Sequence, residues 1–176
     1  PYTEDHRIFR DAVRKFIAKE LQPHVEEWET EGIVPARYWK MMGEQGFLCM
    51  QVPEQYGGVG VDYLYSVIVT EELVKSGCAG LAAPLHTDVV VPYILMFGSE
   101  EQKQQYLPGC VSGDYIASIG MTEPGTGSDL AALKTTAVED GDEVILNGQK
   151  TFISSGINTN LCVVAARNTD IEDPHQ

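Results

Sequence analysis

The spacing of apolar residues changes near Tyr115 in this 176-residue chain, and this change limits the folds open to it. Upstream, apolar side chains recur every three or four residues, the period that places them on one face of a helix. Downstream, turn dipeptides that pair Gly with Asn or Asp separate short runs rich in β-branched residues. We therefore predict a multi-domain α+β protein, with an all-helical domain over residues 1–114 and the start of an antiparallel β domain over residues 115–176.

Prolines, glycines and helix-capping residues divide the helical region into separate helices. The first helix is predicted over residues 4–28, and Pro23 should kink it because proline lacks the amide that the helix needs. Asp62 is a candidate cap for a later helix, and Ser99 with Gln102 matches a capping box. We predict four further helices, over residues 35–45, 62–77, 86–96 and 99–109, the last ending at Pro108-Gly109.

The β region is predicted from its turns. The dipeptides at 140–141 and 147–148 tolerate the positive φ angles of two-residue hairpins. They should join three strands into an antiparallel meander, with one more strand on either side. The predicted strands are residues 115–119, 134–138, 143–146, 151–153 and 161–166. Because no closing strand follows, we expect a sequence that is cut inside a domain.

Charge and composition exclude several classes of function. Twelve Lys and Arg against 26 Asp and Glu give a net charge of −14, which disfavours nucleic acid and anionic membranes. No apolar run is long enough to span a bilayer, and the first residues do not form a secretory signal. The four cysteines and four histidines lack metal-ligand spacing, so we expect reduced cysteines, structural histidines and no metal site.

The segment GMTEPGTGSD at residues 120–129 carries the densest set of small and polar residues. Such a loop brings backbone amides and hydroxyls close to a ligand. It lacks the third glycine of a dinucleotide fingerprint and the lysine of a P-loop. On composition alone it is equally a structural turn, with Ser128 and Asp129 capping a short helix. We expect Glu123 and Asp129 to fix the loop by accepting backbone amides, and not to act as acid and base.

Four segments in the same order resemble the acyl-CoA dehydrogenase family of flavoproteins. They are GMTEPGTGSD itself, VPEQYGGVG at 52–60, GSEEQKQQYLP at 98–108 and DEVILNGQKTFISSG at 142–156. The sequence FIS at 152–154 looks most like the long-chain branch. The resemblance implies an all-α N-terminal domain, the start of a middle β domain and a missing C-terminal helical domain.

The resemblance also implies an FAD site and an activity. These enzymes oxidise fatty acyl-CoA to trans-2-enoyl-CoA, with a Glu removing the α proton and the β hydride passing to FAD. Because that Glu lies in the C-terminal domain, we assign no catalytic residue here, and the fragment should be inactive alone. The residues matching the family's FAD contacts are Ile119, Gly120, Met121, Thr122, Gly127, Ser128, Phe152, Ile153 and Ser154. Ser128 also matches a contact to the CoA part of the substrate, and the small residues 77–83 lie where the family bounds its acyl-chain cavity.

The partners that the resemblance implies are fatty acyl-CoA, an electron-transfer flavoprotein and further copies of the chain, as a tetramer or dimer. The implied location is the bacterial cytoplasm or the mitochondrial matrix, without stable membrane insertion. Two alternatives stay open. An acyl-CoA oxidase of the same superfamily would pass electrons to oxygen, and a helical binding or assembly module would keep the scaffold without the chemistry.

Overall fold

The first helical stretch is interrupted where the sequence contains proline. A computed structural model describes residues 2–168. Helix α1 (Glu4–Phe16) begins at a capping box formed by Thr3 and His6. A π-helical turn (Ile17–Leu21) and a 3₁₀ turn (Gln22–His24) follow, and α2 (Val25–Glu31) completes the stretch. The predicted break at Pro23 is therefore confirmed.

Four further α-helices build the helical region. They are α3 (Arg37–Glu44), α4 (Leu64–Lys75), α5 (Val91–Phe97) and α6 (Glu100–Ser112). Short 3₁₀ turns lie at Glu54–Tyr56 and Cys78–Leu81, and a π-helical turn at Leu85–Val90 leads into α5. The predicted capping box of Ser99 and Gln102 is confirmed. Asp62 accepts the Leu64 amide at 2.8 Å, but the N-cap residue of α4 is Tyr63. None of the helices described has the length and apolar character needed to cross a membrane.

Helix α6 continues past Pro108, so the predicted end at Pro108-Gly109 is wrong. Its last residue is Ser112, and Gly113 ends it in the left-handed conformation with φ of +77°. Leu107 and Cys110, on either side of the proline, are both fully buried. Burial of this face offsets the loss of the backbone hydrogen bond that proline cannot donate, because tertiary packing supplies most helical stability in proteins.

A buried histidine connects the helical core to the first strand. The His86 side chain is fully buried, and its Nδ1 accepts the Ala117 amide at 3.0 Å. The opposite nitrogen, Nε2, therefore carries the proton and donates to the Cys110 carbonyl at 3.0 Å. Burial lowers the pKa of His86 to about 4. The prediction of a structural histidine is confirmed here, and the cysteines at 49, 78, 110 and 162 are free thiols as expected.

Within residues 2–168, five short strands follow the helices. They are β1 (Ala117–Gly120), β2 (Thr136–Asp140), β3 (Glu143–Asn147), β4 (Leu161–Val164) and β5 (Arg167–Asn168). Strands β2 and β3 form the predicted antiparallel hairpin, with Gly141 at φ of +63° in the turn. Strand β4 pairs with β1 in parallel, with Ala117 opposite Leu161, and β5 pairs in parallel with β2.

The predicted second hairpin is absent from the described residues, and residues 151–153 are not a strand. At Gly148 the chain passes so close to Thr135 that a Cβ atom would overlap its side chain. Phe152 then adopts φ of +56°, which is incompatible with an extended strand. The segment is therefore a loop that leads from the hairpin to β4, and the predicted three-stranded meander is wrong.

Candidate functional site

Two loops meet at the edge of the β1–β4 pair. The first loop (residues 121–129) follows β1, and the second loop (residues 148–160) precedes β4. The Thr151 amide donates to the Thr122 carbonyl at 2.9 Å, and the Asn160 amide donates to the Ile116 carbonyl at 3.3 Å. The second loop therefore runs back along β1, and the structure brings together the two segments that the sequence singled out.

Glu123 fixes the shape of the first loop. Its buried carboxylate accepts the Lys134 amide at 2.8 Å, the Thr135 amide at 2.9 Å and the Thr135 hydroxyl. Lys150 adds an ion pair at 2.9 Å. The bonds from Thr135 and Lys150, together with the backbone amides, lower the pKa of Glu123 to about 2. The structural interpretation of Glu123 is confirmed, because an acid this strong is a poor proton acceptor near neutral pH.

Asp129 does not share that role. It is exposed, and no hydrogen bond from its side chain caps the 3₁₀ turn at Leu130–Ala132. Instead, the loop is closed by backbone bonds between Glu123 and Thr126, at 2.9 and 3.1 Å. The expectation that Asp129 accepts backbone amides is wrong, because the backbone itself already closes the turn.

The sequence-predicted site residues of the first loop differ in exposure. Ile119 and Gly120 belong to β1, where Gly120 is buried, and Met121 and Thr122 are half-buried at the start of the loop. The Thr122 hydroxyl makes no hydrogen bond within residues 2–168, although its carbonyl does. Thr122 therefore has a side-chain donor and acceptor available to a ligand.

All but one of the remaining predicted residues of both loops are exposed. Gly127 and Ser128 are exposed beyond the turn of the first loop, and Ser154 is exposed in the second loop beside the half-buried Ile153. Phe152 is 92% exposed although its φ of +56° is unfavourable for a bulky residue. Backbone strain at a bulky residue is concentrated at functional sites, so Phe152 is a candidate contact residue for a ligand or partner.

A cavity of about 530 Å³ separates the second loop from the helical region. The helical side contributes Gly32–Val34, Trp39 and Gly80–Leu81, and the loop contributes residues 150–153 and 155–158. The Asn158 side-chain amide donates to the Val34 carbonyl and so ties the loop to the helical region. Gly80 and Leu81 lie within the small-residue stretch that the sequence had indicated.

Sequence reasoning missed Lys150 and Asn158. Both are polar residues in a polar loop, and their sequence context does not indicate burial or long-range contact. Yet the Lys150 side chain is only 13% exposed, and Asn158 contacts a residue 124 positions away. Among the described residues there is no cluster of His, Cys, Asp or Glu that could hold a metal ion.

This arrangement suits a planar, polar-edged ligand. The Phe152 ring offers an apolar face, while Thr122 and the exposed amides of the first loop offer hydrogen bonds. The adjoining cavity is lined by Trp39, Leu81 and other residues of the helical region on one side and by residues of the second loop on the other. Such a surface can bind a ring system and an extended apolar group side by side.

Comparison with known proteins gives matches along nearly the whole chain. The N-terminal domain of acyl-CoA dehydrogenase matches residues 3–114, and the middle domain of acyl-CoA dehydrogenase matches residues 118–176. The long-chain specific acyl-CoA dehydrogenase of Sus scrofa mitochondria is 43% identical over 98% of this chain and 40% of its own length. The expected resemblance to long-chain enzymes is confirmed.

Two solved structures are similar in fold as well as in sequence. An acyl-CoA dehydrogenase from Geobacillus kaustophilus has a TM-score of 0.95 and 53% identity, covering 99% of this chain and 46% of that one. An acyl-CoA dehydrogenase from Bacillus anthracis, complexed with FAD, has a TM-score of 0.89 and 33% identity, covering 95% of this chain and 30% of that one. The chain thus spans less than half of the proteins that it matches.

Proposed function

The chain belongs to the acyl-CoA dehydrogenase family, and from this premise we propose that it is the N-terminal part of an FAD-dependent enzyme. The proposed enzyme oxidises fatty acyl-CoA thioesters to trans-2-enoyl-CoA. Residues 1–114 form its helical domain, and residues 115–176 begin its middle domain. The observation that carries the proposal is the hydrogen bond from Thr151 to Thr122, at 2.9 Å, which joins the two loops expected to contact FAD.

The residues proposed to hold FAD have the chemistry that this group requires. The Thr122 hydroxyl and the amides near Met121 would bind the polar edge of the flavin ring, and Phe152 would cover one of its faces. The exposed Ser154 would supply a hydroxyl on the same side. Ile119, Gly120 and Ile153 would support these contacts from the half-buried or buried side of the loops.

The substrate is proposed to lie next to the same loops. Gly127 and Ser128 are exposed at the end of the first loop, and the Ser128 hydroxyl would contact the CoA part of the thioester. The cavity beside Gly80 and Leu81 would receive part of the fatty acyl chain and exclude water from it. When bound, FAD supplies the acceptor for the hydride that leaves the acyl β carbon.

The base that removes the α proton is proposed to lie outside these 176 residues. Glu123, the buried carboxylate of the first loop, is committed to Lys134, Thr135 and Lys150, and its pKa of about 2 makes it a weak base. This chain's residues therefore bind and orient, while the proton transfer belongs to the rest of the enzyme.

The proposed partners follow from the same function. The reduced enzyme would pass its electrons to an electron-transfer flavoprotein, and the full-length protein would form a homotetramer or homodimer. It would act in fatty-acid β-oxidation, in the bacterial cytoplasm or the mitochondrial matrix.

The proposal is tested on the purified full-length protein. We expect an oxidised flavin spectrum that is bleached by palmitoyl-CoA without oxygen and restored by an electron-transfer flavoprotein. Rapid peroxide formation by the reduced enzyme–product complex would indicate an acyl-CoA oxidase instead. A protein that neither retains FAD nor binds it when FAD is added would be a binding or assembly module, which contradicts the proposal.

Thr122→Ala in the full-length protein should weaken FAD binding about two- to tenfold. The reason is the loss of one hydrogen bond, which contributes about 0.5–1.5 kcal/mol. Thr30→Ala is the matched control, because Thr30 is exposed on α2 and its hydroxyl bonds only to Glu26 of its own helix. Titration of the apoprotein with FAD measures both dissociation constants, and equal values for Thr122→Ala and wild type would contradict the assigned contact.

A further inference from the structure

A buried ion pair joins the two loops. Lys150 Nζ is 2.9 Å from the Glu123 carboxylate, and their side chains are only 13% and 5% exposed. Three other hydrogen bonds, from Lys134 and Thr135, already hold that carboxylate in the first loop. The lysine adds an opposite charge to a buried carboxylate that is already hydrogen-bonded, and it connects that carboxylate to the second loop.

Lys150 contacts the last residue of β1 and two residues of the first loop. Besides Glu123, its ammonium donates to the Met121 carbonyl at 3.0 Å. Its aliphatic stem passes over Gly120, where an added Cβ would lie 3.3 Å from the Lys150 Cγ. A larger residue at 120 would thus crowd the path of the lysine.

The lysine also stands at the entrance of the second loop. The next residue, Thr151, donates its amide to the Thr122 carbonyl, and Phe152 follows with its strained backbone. A buried ammonium is costly unless it is paired, so Lys150 is stable here only while Met121 and Glu123 hold their present positions. The conformation of one loop is thereby coupled to that of the other.

We propose that Lys150 is a positioning residue that fixes the Thr122 and Phe152 segments at the spacing needed to bind the flavin. This inference rests on the proposed function. It assigns Lys150 no contact with FAD or substrate, and its effect passes through Met121 and Glu123. The coupling itself is a property of the protein without cofactor, so it is measurable there.

The first experiment uses the full-length apoprotein and hydrogen exchange. Lys150→Met keeps an unbranched apolar stem that is one atom shorter and removes the ammonium. We expect the Thr151 amide to exchange about tenfold faster, because its loop loses the pair that holds it. Lys40→Met is the matched control, since Lys40 pairs with Asp114, is 43% exposed and contacts neither loop. Unchanged exchange at Thr151 in Lys150→Met would overturn the proposal.

The second experiment measures FAD affinity by titration of the same apoproteins. We expect Lys150→Met to bind FAD about tenfold more weakly and Lys40→Met to bind within about twofold of wild type. A purely structural role would lower the melting temperature and leave the affinity of the folded protein unchanged, which would overturn the proposal. If wild type bound no FAD, the proposed function would fail, while the exchange experiment would still decide the role of Lys150.

A double-mutant cycle identifies the partner. Glu123→Gln removes the charge that faces Lys150. Its one carbonyl oxygen can still accept from Thr135 at the Oε1 position, but its NH₂ group cannot accept the Lys134 amide, a loss that the cycle subtracts. If the two residues act as a pair, the double variant should exchange at Thr151 no faster than the worse single variant. Independent, additive effects would contradict the pair. Glu123→Gln alone keeps the proposal testable if Lys150→Met does not fold.

Discussion

Single carboxylates anchor both halves of this molecule, and Glu72 does so in the helical region. It is 4% exposed on α4 and receives hydrogen bonds from Arg14 at 2.8 Å and Arg10 at 2.8 Å, both on α1. These bonds, from Arg14 first and Arg10 next, lower its pKa from the ordinary 4.5 to about 2. A carboxyl whose pKa is lower in the folded state stabilises the fold when ionised. Its contribution is therefore complete above pH 4.5 and is lost as the pH falls towards 2.

Glu72→Gln should accordingly lower the free energy of unfolding by about 2 kcal/mol near neutral pH, because the charge-assisted hydrogen bonds from Arg10 and Arg14 are weakened. The deficit should shrink between pH 4.5 and 2, where wild type itself loses the ionised group. Urea denaturation of both proteins across this range measures the difference. Glu4→Gln is the control, since Glu4 pairs with Arg7 on the surface, with side chains 74% and 66% exposed. A deficit that does not depend on pH would contradict the assignment to the ionised carboxylate.

Helices α3 and α6 pack closely at glycines. At Gly43 this packing predicts that alanine destabilises the protein, whereas helix propensity predicts that alanine stabilises it. Gly43 lies inside α3, where alanine should be favoured by about 1 kcal/mol. An added Cβ would, however, overlap the backbone carbonyl of Ser112 at the end of α6. We expect Gly43→Ala to destabilise the protein by about 2 kcal/mol, as overpacking against a backbone does.

Thermal and urea unfolding test this contact, with Gly80→Ala as the matched substitution. Gly80 lies in a 3₁₀ turn, and no atom would come within 4 Å of its added Cβ. That variant should keep the stability of wild type or exceed it. Equal effects of the two alanines would mean that α3 and α6 shift apart without cost.

Locally determined elements were the predictable part of this fold. The capping box before α6, the break at Pro23 and the β2–β3 hairpin depend on residues a few positions apart, and all three are present. The continuation of α6 past Pro108 depends on burial, and the Pro108-Gly109 dipeptide predicted an end there instead. The parallel pairing of β1 with β4 depends on a distant partner, and no turn dipeptide indicates it.

The candidate site was likewise only partly predictable from the sequence. Its two loops could be located from their composition and their resemblance to a family. The bonds that join them could not, because Lys150 reaches Met121 across 29 positions and Asn158 reaches Val34 across 124. A single sequence carries no signal for contacts of this range when both partners lie in irregular segments.

As a whole, the molecule exposes apolar surface unevenly. Strand β3 is exposed along its entire length, and Val144, Ile145 and Leu146 are 50–60% exposed. Strand β1 is largely buried and is bonded to His86 of the helical region. The chain spans about 40% of the length of the long-chain relative that it matches. In the proposed full-length enzyme we expect further residues to cover the hairpin, whereas β1 already belongs to the core described here.

Hydrogen exchange of the 176-residue chain and of the full-length protein tests this difference. In the short chain, amides of β2 and β3 should exchange at least about tenfold faster than those of β1, because a hairpin without a buried face is marginally stable. In the full-length protein, the hairpin amides should become protected while those of β1 change little. Equal protection of β1 and β3 in the short chain would show that the hairpin opens only when the helical core unfolds. An unprotected hairpin in the full-length protein would equally contradict the inference, since its apolar side chains would then lack a cover in either form.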